Sequence, residues 1–168
     1  MQEIERKFLL SEFPDLPLLE KAETFQGYLS VEPVVRIRKK VKKDHTSYVL
    51  CIKGKGRLCR KEIEWNLTED VFQELEELLE IPMMRKEYRV YALEDGHRLE
   101  CSWVDRGEPT EFLYAEVEFP SIEDALAFQP PAWLDNEVTE DSYYSMSQYW
   151  QRKQIGRASC REGVCQYV

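Results

Sequence analysis

Hydrophobic and polar residues alternate along most of the chain, with the period of two that is typical of β-strands whose two faces differ. The pattern predicts eight strands, at 2–10, 23–31, 34–43, 46–54, 58–66, 84–93, 97–105 and 112–119. Turn residues fall between several of them, as in Lys43-Asp44-His45, Gly54-Lys55-Gly56 and Glu94-Asp95-Gly96. Residues 14–21 are interrupted by prolines and are predicted to form a short helix or a loop.

Three other segments have helical signals. Thr68 is a predicted N-cap, and the helix it opens ends at Pro82 and carries one apolar stripe, formed by Val71, Phe72, Leu75, Leu78 and Leu79. Ser121-Ile-Glu-Asp124 resembles a capping box before a short helix that stops at Pro130. A last amphipathic helix is predicted from Thr139 to about Trp150.

Charged residues fall on one face of each strand. Glu3, Glu5 and Lys7 stand at alternate positions, with Ile4 and Phe8 on the opposite face. The same separation recurs in four later strands, whose charged faces carry Arg36, Arg38, Lys53, Arg60, Glu62, Glu64, Glu116 and Glu118. A sheet with one solvated face would also alternate. Such a face is mostly Lys, Glu and Thr, however, whereas this one is dense in Glu and in Arg, which binds phosphate oxygens well.

Eight antiparallel strands can close into a barrel, which removes exposed edges. We therefore predict an α+β fold, in which a closed eight-stranded antiparallel β-barrel forms a tunnel with a polar lumen and the helices pack outside. Charges inside a lumen need partners, because an unpaired buried charge is costly. A polyanionic ligand, a divalent cation and water would supply those partners.

Composition and net charge argue against several classes of function. The chain has 168 residues, enough for one domain, and a net charge of −9, which argues against nucleic-acid binding. No apolar run is long enough to span a membrane and no leader opens the chain, so we expect a cytoplasmic protein. Five cysteines without CxxC spacing and two histidines argue against zinc, a disulfide framework or a nucleophilic triad.

The Glu, Lys and Arg residues that share one face of the strands are suited to phosphoryl transfer. Oxygen ligands for Mg²⁺ or Mn²⁺ are available from the carboxylates of Glu3, Glu5, Glu62, Glu64, Glu116 and Glu118. A string of phosphates could be clamped by the cations Lys7, Arg36, Arg38, Lys53 and Arg60. Metal and cations together would offset the charge on the transferring oxygens.

These motifs resemble the CYTH superfamily, the triphosphate tunnel metalloenzymes. Glu3-x-Glu5-x-Lys7 matches its ExExK signature. Further motifs follow in family order: Arg36-x-Arg38, Lys53-Gly54, Arg60-x-Glu62-x-Glu64, Ala115-Glu116-x-Glu118-Phe119, and Glu137-Val-Thr139 with Asp141. The resemblance covers about residues 1–150. It implies an eight-stranded tunnel that binds triphosphate compounds with a divalent metal, and its known activities include inorganic triphosphatase, thiamine triphosphatase and adenylate cyclase.

The resemblance also implies roles for single residues. It places Glu3, Glu5, Glu116 and Glu118 around metal, and Lys7, Arg36, Arg38, Lys53 and Arg60 on phosphates. It further suggests a catalytic pair, in which Lys7 lowers the pKa of Tyr28 so that the phenol can activate water.

Some positions depart from the family pattern. Where members carry Lys-x-Arg, this chain has Arg85-Lys86-Glu87-Tyr88-Arg89. We predict Arg85 and Arg89 as phosphate contacts, with Lys86 as the alternative to Arg85. In the next strand we prefer Glu100 to Asp105 as the acidic residue. From Asp141 to Met146 the family's Arg is absent, so one cation of the clamp is expected to be missing.

We therefore predict a metal-dependent triphosphatase acting on inorganic or small organic triphosphate, as a monomer or homodimer. The alternatives are an adenylate cyclase and a binding module for polyphosphate or nucleotide without turnover. The functional domain is assigned to residues 1–153. Residues 154–168 form a tail that resembles translated library-adapter sequence, which would make it non-native; the alternative is an ordinary frayed terminus.

Overall fold

The computed structural model describes residues 1–161, with side chains to residue 159. It contains the eight predicted strands, which run as β1 Gln2–Leu10, β2 Leu18–Val31, β3 Val34–Val41, β4 Thr46–Lys53, β5 Cys59–Asn66, β6 Met84–Ala92, β7 Arg98–Val104 and β8 Phe112–Glu118. Each follows an alternating or β-branched stretch of sequence and ends near a turn signal.

The strands close into one antiparallel barrel in the order β1-β5-β4-β3-β2-β6-β7-β8. β8 returns to β1, where Lys7 lies opposite Glu116 and Glu5 lies opposite Glu118. On the other side of β1, Glu3 lies opposite Arg60. The register therefore puts the charged faces of neighbouring strands side by side on the inside of the barrel. The predicted α+β fold, with a closed eight-stranded barrel and a polar lumen, is confirmed.

The helices α1 Glu69–Glu76, α2 Ile122–Ala127 and α3 Met146–Arg161 lie outside the barrel wall or across its end. The side chain of Thr68 accepts a hydrogen bond from the Val71 amide, which confirms the predicted cap of α1. Ser121 caps α2 in the same way, by accepting the Asp124 amide.

The hydrophobic core has two clusters, one on the outer face of the barrel and one that joins the cavity-lining Tyr28 and Tyr114 to Met146 and Trp150 of α3. Ile4, Phe8, Leu99 and Val117 are buried in the outer cluster, which includes residues of α2 and of the segment after it. Each fully buried side chain of this size contributes about 2 kcal/mol to stability. Because the outer cluster uses the apolar faces outside, the lumen beyond the Tyr28 and Tyr114 cluster is left mostly to charged residues.

Three predicted boundaries were wrong. Part of 14–21 is strand, since β2 begins at Leu18 and pairs with β6 from there. Helix α1 ends at Glu76, well before Pro82. The last helix begins at Met146, after a short 3-10 helix at Ser142–Tyr144, and it continues to Arg161.

Helix α3 therefore crosses the predicted domain boundary at residue 153. Gln154, in the predicted tail, donates a hydrogen bond to Glu80 (Nε2 to Oε2, 3.0 Å). Residues 162–168 of that tail lie outside the described residues, and whether the tail is native stays a prediction.

Candidate active site

A cavity of about 390 Å³ lies inside the barrel, and both signs of charge line it. Its carboxylates are Glu3, Glu5, Glu62, Glu64, Glu100, Glu116, Glu118 and Asp141. Its cations are Lys7, Arg36, Arg38, Lys40, Lys53, Arg57, Arg60 and Lys86. Because carboxylates and cations occur in similar numbers, an added polyanion would leave the lumen short of positive charge unless a metal came with it.

Carboxylates and cations form ion pairs around the lumen, as in Lys7 with Glu116 and Arg36 with Glu64, but two opposite walls differ in their predominant charge. Strands β7, β8 and β1 adjoin in the barrel and carry Glu100, Glu116, Glu118, Glu3 and Glu5. Strand β3 lies directly across from β8 in the strand order, and its inner face carries Arg36, Arg38 and Lys40. An elongated anion in this cavity would therefore have cations on one side and carboxylates on the other.

Three carboxylates converge in one acidic group. One oxygen each from Glu3, Glu5 and Glu118 lies within 4.8 Å of the others. Burial, together with Glu116 and Glu3, raises the pKa of Glu5 to about 8. Burial, together with Glu100 and Glu3, raises that of Glu118 to about 7. Such repulsion between buried carboxylates is what a bound divalent cation would relieve, so these oxygens fit Mg²⁺ or Mn²⁺.

Glu3 also belongs to a network of ion pairs. Lys53 Nζ lies 2.5 Å from Glu3 Oε1 and 3.0 Å from Glu62 Oε2. Arg60 Nε donates to Glu3 Oε2 at 2.6 Å. Although burial opposes ionisation, Lys53 and Arg60 hold the pKa of Glu3 well below its usual range. Glu3 is therefore the permanently charged member of the acidic group.

Lys7 lies on the acidic wall. Its Nζ is 2.9 Å from Glu116 Oε1 and 3.9 Å from the centre of the Tyr114 ring. The Tyr114 hydroxyl accepts a hydrogen bond from Lys86 Nζ at 2.7 Å. Burial lowers the pKa of Lys86 well below its ordinary value, with nearby Arg36 and Lys7 acting in the same direction. A phosphate beside Lys86 would reverse this effect by supplying negative charge.

Tyr28 is buried on the inner face of β2. Its hydroxyl accepts a hydrogen bond from Gln26 Nε2 at 2.9 Å, and its ring centre lies 6.0 Å from that of Trp150. Burial raises the pKa of Tyr28 to about 12, although the positive charges of Arg36 and Arg60 oppose the shift. The expected lowering of this pKa was wrong, because desolvation outweighs the nearby cations.

Arg36 and Arg38 share one carboxylate. Their Nη2 atoms lie 3.4 and 3.5 Å from Glu64 Oε1. These distances are long for an ion pair, and Arg36 Nε is buried without a hydrogen-bond partner among the described residues. Both guanidinium groups therefore have donors to offer to an anion.

Two residues that were predicted to contact phosphate lie outside the tunnel. Arg85 is half exposed on the outer face of β6 and bonds Glu23 (Nη2 to Oε2, 2.9 Å). The guanidinium carbon of Arg89 lies 4.1 Å from the centre of the Phe13 ring, also outside. The opposite face of β6 points inward and carries Lys86 and Tyr88. Placing Arg85 and Arg89 in the lumen was wrong, since both faces of this strand carry charge and the sequence pattern cannot choose between them.

The remaining predicted residues all line the cavity, and the preference for Glu100 over Asp105 agrees with the structure. Glu100 accepts a hydrogen bond from Tyr88 inside the barrel (2.7 Å), whereas Asp105 bonds Tyr149 and Lys153 of α3. Sequence reasoning missed Lys40 and Tyr114 as lining residues. The alternation of β3 carries the signal for Lys40, which is in phase with Arg36 and Arg38.

Similarity to a curated relative shows the family of this chain. Over 144 residues, 86% of this chain and 93% of the relative, the sequence is 37% identical to an inorganic triphosphatase from Nitrosomonas europaea. The chain belongs to the CYTH superfamily. The resemblance drawn from the sequence motifs is thereby confirmed, although no protein-family model matches the chain.

Solved structures share this CYTH barrel. The crystal structure of an inorganic triphosphatase superimposes with a TM-score of 0.61 at 31% identity, covering 88% of this chain and 93% of the other. A Pyrococcus horikoshii protein has the same fold, with a TM-score of 0.61 at 18% identity over 90% of this chain and 98% of its own. Within residues 1–161 of this CYTH protein, no helix combines the length and apolar character needed to cross a membrane.

Proposed function

We propose that the protein hydrolyses triphosphate, with inorganic triphosphate as the first candidate, and that it requires Mg²⁺ or Mn²⁺. One observation carries the proposal: a cluster of three carboxylates and a row of cations face each other across a single cavity. The relative from Nitrosomonas europaea, an inorganic triphosphatase, supports this choice of substrate.

The cations would hold the phosphates. Arg36 and Arg38 reach Glu64 only at long distance, so they can turn to phosphate oxygens at little cost. Lys53 and Arg60 are held by Glu3, which is a member of the acidic cluster, and both line the cavity. We assign to Lys86 the phosphate contact that was predicted from the sequence for Arg85.

The carboxylates divide into two groups. Glu3, Glu5 and Glu118 are the proposed metal ligands, since their oxygens converge. Glu3 and Glu5 also pair with Arg60. The other predicted ligands lie outside this group of three carboxylates and pair with cations: Glu62 with Lys53, Glu64 with Arg36 and Arg38, and Glu116 with Lys7. We assign Glu62, Glu64 and Glu116 to orienting the phosphate-binding cations.

In the proposed reaction a water oxygen bonds to a terminal phosphorus as the anhydride P–O bond breaks. The pyrophosphate oxygen keeps the bonding electron pair, the proton of the water passes to a phosphate oxygen and then to solvent, and the products are phosphate and pyrophosphate. A bound divalent cation would neutralise charge on the phosphate oxygens. Lys7 donates hydrogen bonds to the terminal phosphoryl group. Tyr28 has a pKa of about 12 and stays protonated at neutral pH, so we assign it to positioning oxygen atoms rather than to taking a proton.

The test is release of phosphate from inorganic triphosphate with Mg²⁺ or Mn²⁺ varied. Glu118→Gln should raise the metal concentration needed for half-maximal rate by about tenfold or more, as expected when one charged ligand is lost. Metal binding should weaken equally by calorimetry without substrate. Glu123→Gln, on exposed α2, is the matched control. An unchanged metal titration in Glu118→Gln would remove it from the metal site.

The same assay separates the alternatives. ATP is included, with pyrophosphate and cyclic nucleotide as the readouts for a cyclase. If triphosphate binds without any release of phosphate under either metal, the protein is a binding module and the proposed hydrolysis is wrong.

A further inference from the structure

The first turn of α3 lies at one end of the cavity. Ser145 caps the helix, since its Oγ accepts the Gln148 amide at 3.3 Å and its carbonyl accepts the Tyr149 amide at 3.0 Å. Ser145, Met146 and Ser147 all line the cavity. The start of a 16-residue helix therefore forms part of the tunnel lining, and two of the lining residues carry hydroxyl groups.

This is the end of the tunnel where Lys7 and Tyr28 lie. The segment that leads into α3 pairs with β1, where the Lys7 amide donates to Thr139 Oγ1 at 3.0 Å and the Val138 amide donates to the Lys7 carbonyl at 2.8 Å. Trp150 of α3 packs on the Tyr28 ring, with 6.0 Å between ring centres. The helix is thus fixed against the end of the lumen that holds the proposed reaction.

Arg36 gives independent evidence that an anion belongs in this cavity, beside Tyr28. It lies opposite Tyr28 in the register of β2 and β3, and only 8% of it is exposed. Its Nε has no hydrogen-bond partner among the described residues. A buried guanidinium donor left unpaired is costly, and an oxyanion in the cavity would satisfy it.

The first turn of α3 is suited to the same anion. The opening amides of a helix have no partners within it, and they give that end a partial positive charge. In α1 and α2 the first turn already carries acidic side chains, Glu69 and Asp70 or Glu123 and Asp124. The first turn of α3 is the uncharged Met-Ser-Gln, and the nearby Asp141 carboxylate is engaged by the Tyr143 amide at 3.0 Å.

We propose that the first turn of α3, through the amides of Met146 and Ser147 and the hydroxyls of Ser145 and Ser147, binds one phosphate of the triphosphate together with Arg36. The inference rests on the proposed function and adds a subsite to it. It also explains how the tunnel works with one cation fewer than its family resemblance implies, because the helix N-terminus supplies the missing positive potential.

The test places a negative charge in this turn. Ser147→Asp should favour the helix, since an acidic residue suits the first turn, but it should repel a phosphate. Binding of a non-hydrolysable triphosphate analogue, measured by calorimetry with Mg²⁺ present, should weaken about tenfold or more. Gln148→Asp is the matched control, since it adds the same charge to the same turn at an exposed position outside the cavity lining. Ser147→Ala should weaken binding by roughly threefold to tenfold, the loss of one hydrogen bond.

The outcomes are distinct. Weaker binding in Ser147→Asp than in Gln148→Asp, with melting temperatures at or above that of the parent protein, supports the subsite. Equal affinities in both variants overturn the subsite and leave the proposed hydrolysis standing. If the parent protein neither binds nor hydrolyses triphosphate, the proposed function fails and the subsite fails with it.

Discussion

The ammonium of Lys7 forms an ion pair with the carboxylate of Glu116, at 2.9 Å between Nζ and Oε1. The two residues are directly opposite each other on β1 and β8, and both point into the barrel. Although burial opposes ionisation of Glu116, Lys7 and Lys86 hold its pKa below the ordinary value. The pair therefore fixes the position of the Lys7 side chain at the end of the tunnel where the reaction is proposed.

Lys7→Met should lower kcat/KM for triphosphate by about a hundredfold or more, since a charged donor to the reacting phosphate is lost. Lys61→Met, at an exposed position on β5, is the control and should change the rate little. Lys7→Met also leaves the Glu116 carboxylate without its ion-pair partner, which destabilises the fold. Lys7→Met with Glu116→Gln should restore the melting temperature without restoring turnover. Recovery of activity in the double variant would mean that the pair is structural.

The Tyr28→Phe substitution tests whether the Tyr28 hydroxyl positions the reacting groups or acts as a general base. Because the pKa of Tyr28 is about 12, the phenol does not ionise at neutral pH. The substitution should lower kcat by about tenfold, the loss expected for one hydrogen bond to the reacting groups. The pH–rate profile should keep its shape. A profile that loses its basic limb in Tyr28→Phe would show that the phenol titrates during turnover, contrary to this assignment.

The two faces of β6 can be compared directly. Arg85→Ala removes an exposed ion pair with Glu23, and such pairs contribute about 1 kcal/mol or less. Activity should therefore stay within about twofold of the parent. Lys86→Met removes a buried amine from the lumen and should raise KM for triphosphate by about tenfold or more. Circular dichroism and thermal melting check that Lys86→Met is folded. The reverse order of effects would mean that β6 faces the other way in solution.

Arg6 anchors the segment before α3 from outside the barrel. Its Nε and Nη2 donate to the Glu137 carboxylate at 2.8 and 2.7 Å, and its Nη1 donates to the carbonyls of Ala125 and Phe128. The hydrogen bonds from Arg6 are the main cause that lowers the pKa of Glu137 in the folded protein. The pair therefore stabilises the fold above the unfolded carboxyl pKa, and this contribution is lost as the pH falls through the lower folded value.

Glu137→Gln should consequently lower the melting temperature at pH 7 and converge with the parent protein in acid. The difference should be about 1 kcal/mol or less, because the Glu137 side chain is 37% exposed and solvent screens the pair. Melting curves from neutral pH to about pH 3 provide the measurement. A difference that stays constant across this range would assign the effect to packing rather than charge.

The number of strands and the inward direction of most charges could be predicted from sequence. In β1, for example, Ile4 and Phe8 require one face to be buried, and this fixes where Glu3, Glu5 and Lys7 point. Helix starts were also predictable, because Thr68 and Ser121 cap through contacts only three residues away. The ends of helices were harder to predict. In α1, for example, the apolar stripe of the sequence continues past Glu76, where the helix ends.

Local sequence determined the strands, their polar faces and the signature residues, since each of these depends on neighbours a few positions away. Tertiary structure alone decided that Lys86 rather than Arg85 enters the lumen, and that β8 meets β1 to bring Glu118 beside Glu5. It also decided that α3 docks on Tyr28 and turns its first residues into the tunnel. Those arrangements depend on barrel closure between strands far apart in the chain, for which a period of two carries no information.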